Sequence, residues 1–381
     1  MKPRQPILAF AAGGTGGHIA PAIATAQAVR RLRPDVETRF FSGCRENELA
    51  FYHSQQIEPL VLPVGRFGYG IRGKLRLARE LWQARAIALR AMKPEPPDCL
   101  LSMGGYVSFA TVLAARKLSV PIVLHEQNAL LGQAHRMSRR WADLLACSYL
   151  ETMDQGRGIP TERTGNPVRE GIAAGSRDEA IREFDLAQSG AISGCSRCVL
   201  ICGGSQGARG VNRLILKAFK SLDRNAEKSD LRLTILWQCG SGAEDDLREA
   251  LRELSLSRID VRLLPFIQRM ELAYAAADLI LARAGASSLA EITVCGKPAI
   301  FFPLPTAKED HQTLNAKAAV DAGAALLIRE ESASPEELAG TIGAILSDDE
   351  RLAAMATASR NIGRPDAAET LAKILLRYVR E

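Results

Sequence analysis

Short uninterrupted apolar blocks alternate along this chain with longer stretches in which apolar positions recur every three or four residues. The first block, ILAFA (7–11), runs into AAGGTGGHIAP (11–21) and then into a helical pattern over about Pro21 to Arg33. VETRFFSG (36–43), DCLLSMGG (98–105) and VPIVLHEQN (120–128) follow, each ending in glycine or polar residues, with a helix expected over ATVLAARKL (110–118). Apolar strands that alternate with helices predict a parallel sheet covered on both faces. The layout restarts at CVLICGGSQGARGVNRLILKAF (198–219), with further strands in RLTILWQCG, IDVRLLPFI, ADLILARAGASS and KPAIFFPLP. The expected fold class is therefore α/β: two Rossmann-like, doubly wound parallel-sheet domains, spanning 1–166 and 167–359. Turn formers without periodicity place the linker in TERTGNPVREGIAAGS (161–176). The last stretch, 360–381, reads as an amphipathic helix able to pack back on the first domain.

A glycine loop that leaves a strand and opens a helix aims backbone N–H groups, and the positive end of the helix dipole, at an anion. Gly13, Gly14, Thr15, Gly16 and Gly17 form one such loop, and residues 203–207 a second. Neither is a dinucleotide fingerprint. Counting from Gly14 and Gly16, the third glycine position holds Ile19, and the acid of the second strand, Glu37, stands at its beginning rather than its end. No glycine loop continues into Lys-Ser/Thr, so a Walker loop is absent as well. Ligands of open α/β sheets bind at the carboxyl ends of the strands. Thr15, His18, Gly104, Gly105, Tyr106, His125 to Asn128, Ser205, Gln206 and Arg283 to Ser288 gather there. Two such domains facing a cleft suit transfer of a group from a phosphate-bearing donor to a second substrate.

Charge sharpens this picture. The 381 residues carry a formal net charge of +6, but the first 166 hold +9 and the remainder −3. An anionic surface or substrate is therefore expected on the first half. Residues 66–93 hold eight Lys or Arg and the single acid Glu80. Within them Leu75, Ala78, Trp82, Ala86 and Leu89 recur at helical spacing. A basic amphipathic helix of this kind suits an anionic membrane surface, through Arg72, Lys74, Arg76, Arg79, Trp82 and Arg85, with Phe67, Tyr69 and Ile71. The competing reading packs the apolar stripe on the domain's own sheet and leaves a solvated basic face. No apolar stretch is long enough for a membrane helix, and no signal peptide is apparent. Nucleic acid is not expected as a partner, because basic and aromatic residues do not interleave in the predicted site. Most of the eight cysteines lie in or beside apolar stretches, which suggests reduced thiols. Cys195 and Cys198 form a lone C-x-x-C, a weak metal signal beside the plainer reading of a turn entering a strand.

GGTGGHIAPA, MGGYVS, HEQN, GNPVR, GGSQGA, ARAGASSLAE and DHQTLNA stand in the order seen in the MurG family, and the chain resembles that family from residue 7 to about 330. The resemblance implies the GT-B fold. It also implies inverting transfer of N-acetylglucosamine from UDP-N-acetylglucosamine to the 4-hydroxyl of the muramoyl sugar of lipid I (undecaprenyl-pyrophosphoryl-muramoyl-pentapeptide), giving lipid II. It implies a peripheral location on the cytoplasmic face of the bacterial plasma membrane. By the same resemblance Ser205 and Arg169 contact the donor phosphates. Phe266, Ile267 and Met270 lie along or near the uracil. Ala286, Ser287, Ser288, Leu289, Ala290 and Glu291 line the nucleoside, with the Glu291 carboxylate on the ribose hydroxyls. His311, Gln312 and Asn128 meet the sugar. Gly13, Gly14, Gly104, Gly105 and Tyr106 form the acceptor and phosphate wall.

Inverting transfer needs a base for the acceptor proton and charge stabilisation for the departing UDP. His18 is the leading candidate base; its alternative is a helix-start histidine bonded to the loop backbone. Glu126 and His125 are weaker candidates. A helix end and Arg169 supply the charge, so no metal or other obligatory cofactor is expected, with a divalent cation at most as a stimulant. One departure from the family stands at His135, where an asparagine is common. Two other readings remain open: a UDP-sugar 2-epimerase, and a non-catalytic nucleotide-sugar-binding protein at a membrane.

Overall fold

The computed structural model describes residues 4–14, 16–65, 70–186, 196–203, 208–240 and 242–380, without the side chains of Ile71, Arg72 and Lys74. Thr15, Phe67, Tyr69, Cys195, Ser205 and Gln206, singled out above, thus lie outside the described residues. The chain divides into two compact units, Met1–Arg169 with Arg364–Glu381, and Glu170–Gly363.

The first unit runs β1 (Ile7–Ala11), α1 (Gly16–Leu32), β2 (Glu37–Ser42), α2 (Glu46–Ser54), β3 (Leu60–Val61), α3 (Gly70–Met92), β4 (Cys99–Ser102) and α4 (Gly105–Lys117). It continues through β5 (Ile122–Glu126), α5 (Gln133–Ser138), β6 (Leu144–Cys147), α6 (Leu150–Met153) and β7 (Thr161–Arg163). Its strands are all parallel, in the order β3-β2-β1-β4-β5-β6-β7. Side chains alternate across β1. Leu8 and Phe10 join the core under α1, whereas Ala9 and Ala11 meet the core formed with α3 and α4. Both faces are buried, which is why the strand reads as an unbroken apolar run.

The second unit runs α7 (Arg177–Glu183), β8 (Ser196–Cys202), α8 (Arg209–Lys228), β9 (Arg232–Gln238), α9 (Glu244–Arg252), β10 (Ile259–Leu264), α10 (Met270–Ala276) and β11 (Leu279–Arg283). It ends with α11 (Ala286–Val294), β12 (Ala299–Phe302), α12 (His311–Asp321), β13 (Ala325–Leu327), α13 (Pro335–Leu346) and α14 (Asp349–Ile362). The parallel order is β10-β9-β8-β11-β12-β13. Val199 and Ile201 of β8 pack with Val211, Ile215 and Phe219 of α8 and Leu338 and Ile342 of α13. Cys198 and Cys202 are buried strand residues. The chain then returns to the first unit as α15 (Ala367–Leu376), whose Leu371, Ile374 and Leu375 join the α1 side of the core. Gly165 makes that return fit: a Cβ there would lie 2.6 Å from Arg364 Cβ.

Three expectations need correcting. Helix α1 begins at Gly16, not near Pro21, so Gly16, Gly17 and His18 form its first turn. Pro21 lies inside the helix, past the four N–H groups that have no helical partner, and so removes one helical hydrogen bond. The stretch expected to be linker opens with the edge strand β7. The α3 stripe divides instead of facing one way: Leu75 and Trp82 are 66% and 68% exposed, while Leu89 packs partly against the core that buries Ala84, Ala88 and Met92.

Candidate functional site

In each sheet the strand order reverses once, and that switch point is where open α/β sheets leave a crevice. In the first unit it falls between β1 and β4. Gly13 and Gly14 follow β1, and Gly104 and Gly105 follow β4, so the two glycine turns flank it. The glycines are sterically required. Gly14, Gly104 and Gly105 have φ of 94°, 98° and 80°. A Cβ on Gly13 would lie 3.0 Å from both Glu48 Oε2 and Val107 Cγ2, and one on Gly105 would lie 3.3 Å from the Gly13 carbonyl.

His18 sits half-buried in the first turn of α1, with Nδ1 2.9 Å from the Gly13 carbonyl oxygen. A carbonyl only accepts, so Nδ1 carries the proton and Nε2 is left with its lone pair. Burial lowers the His18 pKa, against a smaller upward pull from the Gly13 carbonyl, so the neutral form persists below the ordinary imidazole range. Nε2 points toward Gly104, where an added Cβ would be 3.5 Å from it and 3.3 Å from His135 Cε1. The arrangement supplies a neutral base at a backbone concavity.

Glu126 stands differently. Oε1 accepts from Asn128 N and Nδ2, both at 3.1 Å, and Oε2 accepts from Gly132 N at 2.8 Å and His135 Nδ1 at 2.9 Å. Burial pushes its pKa up. His135 and the two backbone amides outweigh that and hold it at about 2. A carboxylate this engaged is a clamp on the 128–135 loop, not an available base. His135 is 1% exposed, with Nε2 3.2 Å from the Ser102 carbonyl oxygen. His125 Nε2 donates to the Gly165 carbonyl at 3.0 Å and its Nδ1 accepts from Gln127 Nε2 at 3.1 Å. Burial lowers it to about 4, so it is a neutral structural residue. Tyr106 is half-buried in the first turn of α4, and Arg169 is exposed at the end of the first unit's main segment.

Pattern reading missed the support beneath the first loop. Buried Glu48 of α2 accepts from Gly43 N at 3.1 Å, and Arg45 donates to the Gly14 carbonyl at 3.1 Å. Its only trace in the sequence was an acid and a base just after β2.

In the second unit the switch point lies between β8 and β11. Gly203 and Ala208 bracket the loop after β8, and Gly285 opens α11 after β11. Of the expected nucleoside residues, Ser287, Ser288, Ala290 and Glu291 are partly exposed on α11, while Ala286 and Leu289 are buried. Phe266 is 55% exposed. Ile267 and Met270 are buried, so their side chains are not open surface; the Ile267 amide donates to Gln238 Oε1 at 3.0 Å and fixes the turn that presents Phe266. Tyr274 donates to Glu291 Oε2 at 2.9 Å, a contact with no sequence signature. At the start of α12, His311 Nδ1 donates to the Lys308 carbonyl at 2.9 Å, and Gln312 Oε1 accepts from Leu304 N at 2.9 Å. Arg283 ties the strand ends together, bonding the Phe302 and Pro303 carbonyls and pairing with Glu330 at 2.9 Å.

The glycosyltransferase family 28 N-terminal domain matches residues 8–146, and the family 28 C-terminal domain matches residues 198–371. UDP-N-acetylglucosamine--N-acetylmuramyl-(pentapeptide) pyrophosphoryl-undecaprenol N-acetylglucosamine transferase of Methylococcus capsulatus is 35% identical, covering 96% of each chain. The protein of the same name from Solidesulfovibrio magneticus is 36% identical, covering 96% of this chain and 95% of its own. The chain belongs to the MurG glycosyltransferase family. Acinetobacter baumannii MurG is similar in structure, with a TM-score of 0.76 at 25% identity over 98% of this chain and 100% of that one. UDP-GlcNAc 2-epimerase of Neisseria meningitidis shares the fold alone, with a TM-score of 0.69 at 14% identity over 97% and 100% of the two chains. Membership in the MurG family is thus carried by sequence along nearly the whole chain, whereas the epimerase reading retains only the architecture.

Proposed function

We propose that this enzyme transfers N-acetylglucosamine from UDP-N-acetylglucosamine to the 4-hydroxyl of the muramoyl sugar of lipid I, with inversion, giving lipid II. The observation that carries the reading is the identity of about 35% along the whole chain, joined to a base-competent imidazole at the first switch point. His18 takes the acceptor proton through Nε2, because Nδ1 is committed to the Gly13 carbonyl. Glu126 does not compete for that proton; it shapes the loop that carries Asn128 and His135. On the donor side Phe266 stacks on the uracil, Glu291 accepts from the ribose, and His311 and Gln312 meet the sugar. Arg169 and the loop holding Ser205 stabilise the diphosphate as it leaves. That charge is supplied by a guanidinium and backbone amides, so the reaction proceeds without an obligatory metal, and a divalent cation acts at most as a stimulant.

Among the described residues no helix is long and apolar enough to cross a membrane. The enzyme reaches its lipid substrate from the cytoplasmic face of the plasma membrane, through the outward face of α3. Exposed Leu75 and Trp82, two turns apart and flanked by Arg76, Arg79 and Arg85, suit an interfacial contact with anionic lipid.

Purified protein given labelled UDP-N-acetylglucosamine and a lipid I analogue should release UDP and place the label in the lipid. Isomerised donor without acceptor would instead support an epimerase, and binding without turnover would remove the catalytic reading. A His18→Ala variant should lose at least about a hundredfold in kcat; near-normal turnover with an unchanged pH profile would end the candidacy of His18.

A further inference from the structure

A carboxylate recognises a cis-diol well only if its plane is fixed, because both hydroxyl donors must meet their acceptors together. Glu291 lies on the second turn of α11, half-buried, on a side chain with several rotatable bonds. A buried group reaches it. Tyr274, 2% exposed, donates its hydroxyl to Oε2 at 2.9 Å.

The phenol's support is rigid. Leu272, Ala273 and Ala276 pin α10 into the core. The helix starts at Met270, just beyond the turn that presents Phe266, and that turn is anchored by the Ile267 amide on Gln238. A single short helix therefore connects the base-side turn to the ribose-side carboxylate. Burial and the neighbouring Glu291 push the Tyr274 phenol well above its ordinary range, so it stays protonated and acts as a donor. A carboxylate offers about four acceptor positions, so one donation orients it without exhausting it.

We propose that Tyr274 is a positioning residue for the donor nucleotide: its buried hydroxyl holds the Glu291 carboxylate in the orientation that accepts the ribose diol. This rests on the reading that Glu291 receives the ribose. Recognition of a ribonucleotide over a deoxyribonucleotide then depends on a side chain that never touches the ligand.

The test measures affinity for UDP and for 2′-deoxy-UDP by calorimetry, with donor kinetics, in wild type, Tyr274→Phe and Glu291→Ala. Wild type should prefer UDP. Tyr274→Phe should bind UDP about fivefold more weakly, and its preference for UDP over the deoxy form should shrink by a similar factor. Its KM for donor should rise by the same factor with kcat within about twofold, as for lost uniform binding. If Tyr274 only fills the core, the melting temperature falls while the preference stays at the wild-type value, and the proposal is overturned. Glu291→Ala should abolish the preference. If it does and Tyr274→Phe leaves the preference intact, only the role of Tyr274 fails; if Glu291→Ala itself leaves it intact, the ribose reading fails and takes this proposal with it. Should the Tyr274→Phe chain not fold, Glu291→Asp probes the same contact by withdrawing the carboxylate from the phenol. It should show the same partial loss, and an undiminished preference would count against the proposal.

Discussion

Replacing Gly104 with alanine should separate backbone strain from occlusion of the base. Gly104 joins β4 to α4 at φ 98° and ψ 178°, a conformation reserved almost entirely for glycine. Any side chain there costs about 1–3 kcal/mol in strain alone. The added Cβ would also lie 3.3 Å from His135 Cε1 and 3.5 Å from His18 Nε2. The first contact requires a ring to give way. The second places a methyl group where the acceptor hydroxyl must come within about 3 Å of the base. Displacement of a reacting group on the order of 1 Å costs about a hundredfold in rate, so kcat/KM for the lipid acceptor should fall by about that factor. Gly158→Ala is the control, because Gly158 has φ +92° with nothing within 4 Å of its added Cβ. It should lose similar stability and keep its activity. Thermal melts and UDP release at varied acceptor concentration read the two effects. If Gly104→Ala matched Gly158→Ala in kcat/KM within about threefold, the assignment of the space in front of His18 to the acceptor would be wrong.

His125 makes stability fall on the acid side of neutrality. Its folded pKa is about 4 against an ordinary 6.5, so the unfolded chain takes up the proton first. Its contribution is complete above pH 6.5 and is lost between 6.5 and 4, amounting to about 2 kcal/mol by pH 5; denaturant titrations at pH 7 and 5 that agreed would contradict this. Glu126→Ala takes the buried acceptor away from His135 Nδ1 and from the Gly132 and Asn128 amides, which should cost about 1–3 kcal/mol. It should lower activity but keep an acid limb of kcat/KM, moved to lower pH because the Glu126 charge raises the His18 pKa; loss of that limb would restore Glu126 as a base. Replacing Leu75 and Trp82 together with serine should weaken binding to anionic vesicles by at least about tenfold while turnover of a water-soluble acceptor is unchanged. Equal vesicle binding would show that this face does not meet lipid.

The sequence by itself determined the alternation of apolar strands and helices, the restart of the pattern at residue 198, and the glycine loops. These signals are local: an unbroken apolar run reports burial on both faces, and a glycine run reports backbone that side chains would obstruct. Family motifs added Arg169, Phe266 and Glu291 on the same local terms. What lay beyond the sequence depends on which elements become neighbours. The short edge strands β3, β7 and β13 carry too few residues for a periodic signal, and pairing with the sheet is what makes them strands. The outward face of α3 was ambiguous because its two apolar sides differ only in which one meets α4. Glu126 read as a weaker candidate base until packing brought Asn128, Gly132 and His135 onto its oxygens. The Gly13 carbonyl chose the tautomer of His18, and Tyr274 met Glu291 only because the fold brings that residue of α10 within hydrogen-bond reach of α11. Chemical type is written along the chain. Protonation, orientation and availability are properties of the partner each group finds, and tertiary structure alone supplies those partners.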